Sequence, residues 1–258
     1  MNRDDTINRI VEQFSKTAEV YTQSQVLHAG LDKIVEFIGV NPSDIVLDVA
    51  TGPGKIVLEF AKKASNVIGI DITERMLQEA EEAKRRAGIK NVSFEKGDVR
   101  ALPYAGESFD IVYSGTAFHH FDHPLQVLQE MARVCKRGRK VVINDLISSE
   151  EKEKSALHNT IEQIRDPSHV RALQLSEFRE LFRICQLEEV RLNIAQRERG
   201  FEEWAELAGL TPDDARYRQA KEMMIASIEG DKTGLHVMIN GDRVGFIHTS
   251  MILVGRKP

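Results

Sequence analysis

Three aspartates, Asp48, Asp71 and Asp98, stand at or just past the ends of three successive short apolar runs. In an open α/β sheet, ligands bind outside the carboxyl ends of the strands, so each acid falls where a ligand would lie. Asp48 is followed by Ala50-Thr51-Gly52-Pro53-Gly54, a tight strand-to-helix turn. Gly52 and Gly54 let the backbone approach a ligand with no Cβ in the way, and the amides opening the next helix offer donors to a carboxylate. Asp71 ends the neighbouring strand, at a spacing suited to gripping a ribose diol. Asp98, between Gly97 and Val99, is placed to accept from an exocyclic adenine amine while the Val99 amide donates to a ring nitrogen. Each acid alone has a plain reading, Asp71 as a helix N-terminal charge and Asp98 as a cap of its own turn. In strand order and together they describe a nucleoside site.

The elements that must present these acids follow from periodicity. Ile45–Val49, Asn66–Asp71, Asn91–Lys96, Phe109–Ser114, Lys140–Leu146, Leu187–Ala195 and Val244–Val254 read as seven strands. Helical periods separate the first five. Thr73 is placed as an N-cap and Gly88 closes its helix in the left-handed conformation, while the helix from Pro124 is expected to run to Lys136 and stop at Gly138. Ser148 to Gln174 is charged and helical, an insertion above the sheet. Ser176 is expected to cap the next helix, which ends near Cys185. Gly200 to Glu229 reads as two further helices, the second opened by Thr211 and Pro212. The result is an α/β chain with a doubly wound, seven-stranded, mostly parallel sheet and an antiparallel last strand. Residues 1–40 are expected to form a helical lid, and 41–258 the main domain, with cap insertions at about 148–175 and 200–235.

Composition narrows the classes. Lysine plus arginine number 35 against 40 acids, a net charge of −5, which offers no electrostatic reason for a nucleic-acid partner. The amino terminus carries both charge signs and no apolar signal segment, and Val244–Val254 is broken by His248, Thr249 and Ser250. A cytoplasmic protein with no integral membrane association is expected. Cys135 and Cys185 have no CxxC spacing and read as core thiols. A nicotinamide dehydrogenase would use the same crevice, but its G-x-G-x-x-G/A fingerprint needs a small third residue, and Val57 stands there.

Asp48-Val49-Ala50-Thr51-Gly52-Pro53-Gly54, Gly69-Ile70-Asp71-Ile72-Thr73, Met76-Leu77 and Gly97-Asp98-Val99 resemble the cofactor motifs of class I S-adenosylmethionine-dependent methyltransferases. Leu102-Pro103, Ser108-Phe109-Asp110, His119-His120-Phe121 and Glu130-Met131-Ala132-Arg133-Val134 are similar to the same family, in particular its ubiquinone/menaquinone-biosynthesis C-methyltransferase branch. The resemblance is strong over about residues 10–150, and its one departure in the first motif is Ala50, where glycine is common. It implies a Rossmann-like fold and S-adenosylmethionine as cofactor. It places Asp48, Ala50, Thr51, Gly52 and Gly54 near the methionyl moiety, Asp71 on the ribose, Ile72 and Met76 beside adenine, and Gly97, Asp98 and Val99 at the adenine edge. Ser114 and Thr116, ending the fourth strand, complete the cofactor set. Phe14 and Tyr21 match a leading segment that folds over the cofactor, so Tyr21 is expected near the methionyl carboxylate.

Methyl transfer from a sulfonium is an in-line displacement in which the protein aligns the nucleophile and excludes water. A base is needed only when the acceptor must lose a proton, and the loop after the fourth strand carries His119, His120 and His123. His119 or His120 is expected to face the acceptor as base or hydrogen-bond partner; the alternative is that both cap and pack at the following helix. His119 and His123 lack a third ligand at recognisable spacing, so no metal is expected. In the Arg165–Arg171 stretch, His169 and Arg171 are candidate substrate residues, the alternative being a surface turn pinned by an ion pair. Phe201, Trp204, Met223 and Met224 read as helix packing, or as lining of an apolar acceptor pocket. The expected function is methyl transfer to a small aromatic or amphiphilic acceptor; a non-catalytic S-adenosylmethionine-binding regulator is the alternative. Sequence leaves the acceptor, the atom methylated and the oligomeric state open.

Overall fold

The computed structural model describes residues 3–24 and 29–258. Helices α1 (Arg3–Gln23) and α2 (Leu31–Ile38) precede strand β1 (Ile45–Val49). Then come α3 (Lys55–Ala61), β2 (Asn66–Asp71), α4 (Glu74–Ala87), β3 (Val92–Lys96) and β4 (Phe109–Gly115). A 3₁₀ turn (Phe118–His120) leads into α5 (Pro124–Val134) and β5 (Cys135–Leu146). The remainder is α6 (Lys152–Arg165), α7 (Leu175–Ile184), β6 (Glu188–Gly200), α8 (Phe201–Leu207), α9 (Ala215–Ala226), β7 (Met238–Asn240) and β8 (Arg243–Arg256).

The sheet order is β3-β2-β1-β4-β5-β8-β6, with β1 to β5 parallel and β8 antiparallel to β5 and β6. Strand β1 has β2 on one side and β4 on the other, so the chain reverses its winding there and a crevice opens above the carboxyl ends. Alternate side chains feed two cores. Leu47, Val49, Val112 and Ile143 face Val127, Leu128 and Met131 of α5 and Phe178 and Phe182 of α7. Val46, Ile111, Tyr113 and Val142 face Val35 and Ile38 of α2 and Val57 and Phe60 of α3. A third core gathers Ile161, Phe201, Trp204, Tyr217, Met224 and Phe246 from α6, α8, α9 and β8, beside the crevice rather than under the sheet.

Among the described residues the sheet has eight strands, not seven. Strand β7 joins β8 through Gly241-Asp242, with Asn240 paired to Arg243 and Gly241 at φ 64°. A two-residue loop opening on glycine is a hairpin signal, but three residues are too few to show alternation. Strand β6 runs to Gly200 because its polar end, Gln196 to Gly200, pairs backbone to backbone with Gly245 to Thr249. Helix α5 stops at Val134, two residues early: Cys135 already pairs with Phe109, and Lys136 leaves to bond Asp110. Gly138 is left-handed but donates to the Lys257 carbonyl, so it turns a strand rather than ending a helix.

Two caps also differ from expectation. Helix α9 opens at Asp214, whose carboxylate accepts from the Thr211 amide and hydroxyl, so Thr211 and Pro212 lie one turn outside it. Helix α7 is capped at Gln174, whose backbone N–H donates to Glu177; Ser176 instead bonds Glu150. Thr73 and Gly88 do occupy the ends of α4, with Gly88 at φ 66°.

Candidate active site

At the end of β1 the chain turns on three left-handed residues, Ala50 (φ 60°), Gly52 (φ 52°) and Gly54 (φ 70°). Two carboxylates hold this turn. The Gly52 and Thr73 amides each donate to Asp71, at 2.8 Å to Oδ2 and Oδ1 respectively, which ties the glycine turn to the end of β2. The Thr51 hydroxyl donates to Asp48 Oδ2 at 2.6 Å. Asp48 is only 2% exposed. Burial, with the Asp71 charge nearby and against the Thr51 bond, pushes its carboxyl up to about 7. Burial also raises Asp71, against its amide hydrogen bonds. Two acids kept dry and close together are costly unless a cationic or multiply donating ligand meets them.

Asp98 is held from the other side. The Arg100 amide donates to Oδ1 at 2.9 Å, and its guanidinium grips both oxygens, with Nη2 at 2.8 Å from Oδ2. Arg100 is buried, and its carbonyl accepts from Gln126. Neither Arg100 nor this clamp is legible in the sequence, because an arginine two residues past an acid is not a strand-end signal.

A cavity of about 580 Å³ joins these features, within the roughly 300–1,000 Å³ usual for small-molecule sites. Asp48, Ala50, Thr51, Gly52, Asp71, Ile72, Met76, Asp98, Val99 and Thr116 all line it, as do Tyr21, His119 and His120. Gly54, Gly97 and Ser114 shape the walls without lining them. A Cβ on Gly54 would stand 2.6 Å from Phe94 Cζ, and one on Gly97 2.6 Å from Ile70 Cδ1. The Ser114 hydroxyl is turned inward to the Val49 carbonyl.

The far end of the cavity is built on the 3₁₀ turn. Asp145, ending β5, accepts from the Ala117 and Phe118 amides through Oδ2 and meets His119 Nδ1 through Oδ1 at 2.6 Å. Burial works against a charged His119, but Asp145, with Glu162 and Asp166 behind, holds its pKa above the usual value. Nε2 is thereby left as the atom able to exchange a proton with a ligand. His120 bonds the Ser168 carbonyl at 3.0 Å through Nδ1 and meets Phe14 edge-on at 4.9 Å. Burial and the neighbouring His119 push it down to about 4, so it is neutral near neutral pH. Phe14 also meets Tyr21 edge-on, and burial with the Asp166 charge pushes the Tyr21 phenol up to about 12.

The expected substrate pair does not face the cavity. His169 is buried, with Nε2 2.9 Å from Asn159 Oδ1, and Arg171 is paired on the surface with Glu177. Arg165, from the same stretch, does line it, lying over the Trp204 ring at 4.7 Å and bonding Glu162. Trp204 lines the cavity too, whereas Phe201 and Met224 are core. Asp145, next to last in β5, carries the same signal as Asp48 and Asp71, an acid at a strand end, but its pairing with His119 26 residues away has no sequence signature.

With this geometry in view, relatives define the class. Residues 41–198 match the methyltransferase domain family, and the chain belongs to that family. An uncharacterized methyltransferase of Bacillus subtilis, YcgJ, is 29% identical over 95% of this chain and 97% of its own length. Its crystal structure superposes with a TM-score of 0.83 at 26% identity, covering 89% of this chain and 98% of that one. A Bdellovibrio bacteriovorus protein named ubiquinone/menaquinone biosynthesis C-methyltransferase is 35% identical over 52% of this chain and 60% of its own length. A geranyl diphosphate methyltransferase solved with S-adenosylmethionine shares the fold, with a TM-score of 0.65 at 13% identity over 91% of this chain and 86% of that one. The protein is a methyltransferase of Rossmann-like fold. Among the described residues, no helix is long and apolar enough to cross a membrane.

Proposed function

We propose that the protein transfers a methyl group from S-adenosylmethionine to a small aromatic or amphiphilic acceptor. The carrying observation is one cavity that runs from Asp48, Asp71 and Asp98 to His119. Asp48 would meet the methionyl ammonium, Asp71 the ribose hydroxyls, and Asp98 with the Val99 amide the adenine edge. Residues fit these roles by type: buried carboxylates for a cation and a diol, and Ile72 and Met76 as flat apolar walls for a base. S-adenosylmethionine brings the electrophilic methyl when bound; the chain orients the acceptor and keeps water out.

The acceptor end supports a ligand that is partly aromatic. Phe14, Phe121, Trp204 and Leu207 supply apolar surface, and His119 and His248 supply polar atoms. His119, steered by Asp145, would accept a proton from a hydroxyl or acidic carbon as it attacks. Residues 1–40 with the segments 148–175 and 200–235 would act as a lid over the 41–258 domain, Tyr21 closing the methionyl side. We place the protein in the cytoplasm, where its small-molecule acceptor would be met.

The test is thermal unfolding with S-adenosylhomocysteine against NAD. At about 100 times its dissociation constant, a ligand stabilises by about 2.7 kcal/mol. A rise with S-adenosylhomocysteine alone supports the reading, and a rise with NAD alone overturns it.

A further inference from the structure

A second cluster lies in the third core. His158 and Glu162 sit four apart on α6, hence on one helix face, and His248 reaches them from β8. All three are buried, the histidines at 2% and 5% exposure and Glu162 at 1%. His158 Nε2 is 3.6 Å and His248 Nε2 3.3 Å from Glu162 Oε1, and the three ligand atoms lie within 4.8 Å of one another. Neither contact is aligned as a hydrogen bond: His158 Nε2, His248 Nε2 and Glu162 Oε1 are buried polar atoms with no hydrogen-bond partner. A buried polar atom without a partner is destabilising, so three converging on one point call for an explanation.

We propose that His158, Glu162 and His248 form a binding site for a single divalent transition-metal ion, of the class zinc represents. Two imidazoles and one carboxylate are a common donor set for such ions. Zinc–nitrogen and zinc–oxygen bonds of about 2.0–2.1 Å at tetrahedral angles set neighbouring ligands about 3.3 Å apart. Two of the three edges here are already near that length, and the third needs only a side-chain adjustment. Around the cluster, the second Glu162 oxygen is held by Arg165, with Nη2 at 3.0 Å, which fixes the carboxylate with Oε1 toward the imidazoles. Asp166, 3.7 Å from the same guanidinium, offsets its charge. The Trp204 and Phe246 rings flank His248, which itself lines the cavity. Of the three ligands only His248 lines the cavity, so an ion here would lie behind the wall of its acceptor end.

The experiment uses the full chain, stripped with chelator and titrated with Co²⁺ as a spectroscopic stand-in for zinc. One equivalent should bind with visible d–d bands of four- or five-coordinate cobalt, and Zn²⁺ should displace it. His158→Gln, a residue off the cavity lining, should weaken Co²⁺ binding at least about tenfold while leaving S-adenosylhomocysteine affinity within twofold. That second readout separates failure of the metal site from failure of the cofactor reading. Less than one equivalent, only weak six-coordinate bands, a thiolate charge-transfer band pointing to Cys135 or Cys185, or an unaltered titration in folded His158→Gln would overturn the assignment. Should the variant fail to fold, stoichiometry and band pattern of the unmodified chain decide.

Discussion

Asp48→Asn isolates the dry carboxylate at the head of the site. The folded chain moves this group from 3.8 to about 7, mainly by burial. Between those values the native state holds a proton that the unfolded chain has released. The raised group therefore costs nothing below 3.8, and its penalty grows as pH rises through about 7. At about 1.4 kcal/mol per unit, the full penalty above 7 is about 4 kcal/mol. Asparagine cannot ionise, and its oxygen can still accept from Thr51, though its buried amide costs roughly 1–3 kcal/mol if unmatched. That cost hardly varies with pH, so the diagnostic is a difference of differences. From about pH 5.5 to about pH 8.5, the variant should gain about 2 kcal/mol in stability relative to the unmodified chain. Urea unfolding of both proteins at the two pH values measures it. Calorimetry should show S-adenosylhomocysteine affinity falling at least about tenfold, as a charged hydrogen bond worth roughly 1.5–3 kcal/mol is lost. A stability gap that does not change with pH, or that moves the other way, refutes the account of Asp48 as a buried acid awaiting a cation.

Asp71→Asn sets an amide against the Gly52 N–H; its affinity for S-adenosylhomocysteine should drop about tenfold or more, and a folded variant binding as before removes the ribose role. His119→Ala should lower kcat about 10²-fold with cofactor affinity nearly constant, so turnover within twofold of the unmodified enzyme ends the base proposal. Because Asp145 raises His119, the acid limb of kcat should lie above about 6.5 and shift to lower pH in Asp145→Asn; an unmoved limb assigns it to another group. Ala50→Gly relieves a left-handed alanine costing about 1–2 kcal/mol, offset by about 0.4–1 kcal/mol of unfolded-state entropy. A gain of about 0.5–1 kcal/mol in urea unfolding is expected, and a loss beyond 1 kcal/mol contradicts it.

The half of the site proposed for the cofactor was legible because it depends on local order. Asp48, Asp71 and Asp98 each sit next to the strand whose end they mark, and a parallel sheet aligns strand ends whatever else the chain does. The acceptor half was less so. Asp145 reaches His119 across 26 residues, and Ser168 reaches His120 across 48, distances over which no periodicity links them. Arg171 read as a substrate residue from its company of charges, yet Glu177 in the first turn of α7 pairs with it at the surface. Strand β7 was missed for want of length, and the end of β6 because pairing with β8, not side-chain alternation, holds it.

From the chain alone came the doubly wound sheet, the tight turn after Asp48 and the acids at the strand ends, since apolar period and glycine placement act within a few residues. Tertiary packing alone decided which distant polar groups meet: the Asp145–His119 pair, and the convergence of His158, Glu162 and His248. The first depends on how β5 meets the 3₁₀ turn and the second on how α6 and β8 dock beside the crevice, and docking is settled by the fit of whole faces, which no single stretch of residues encodes.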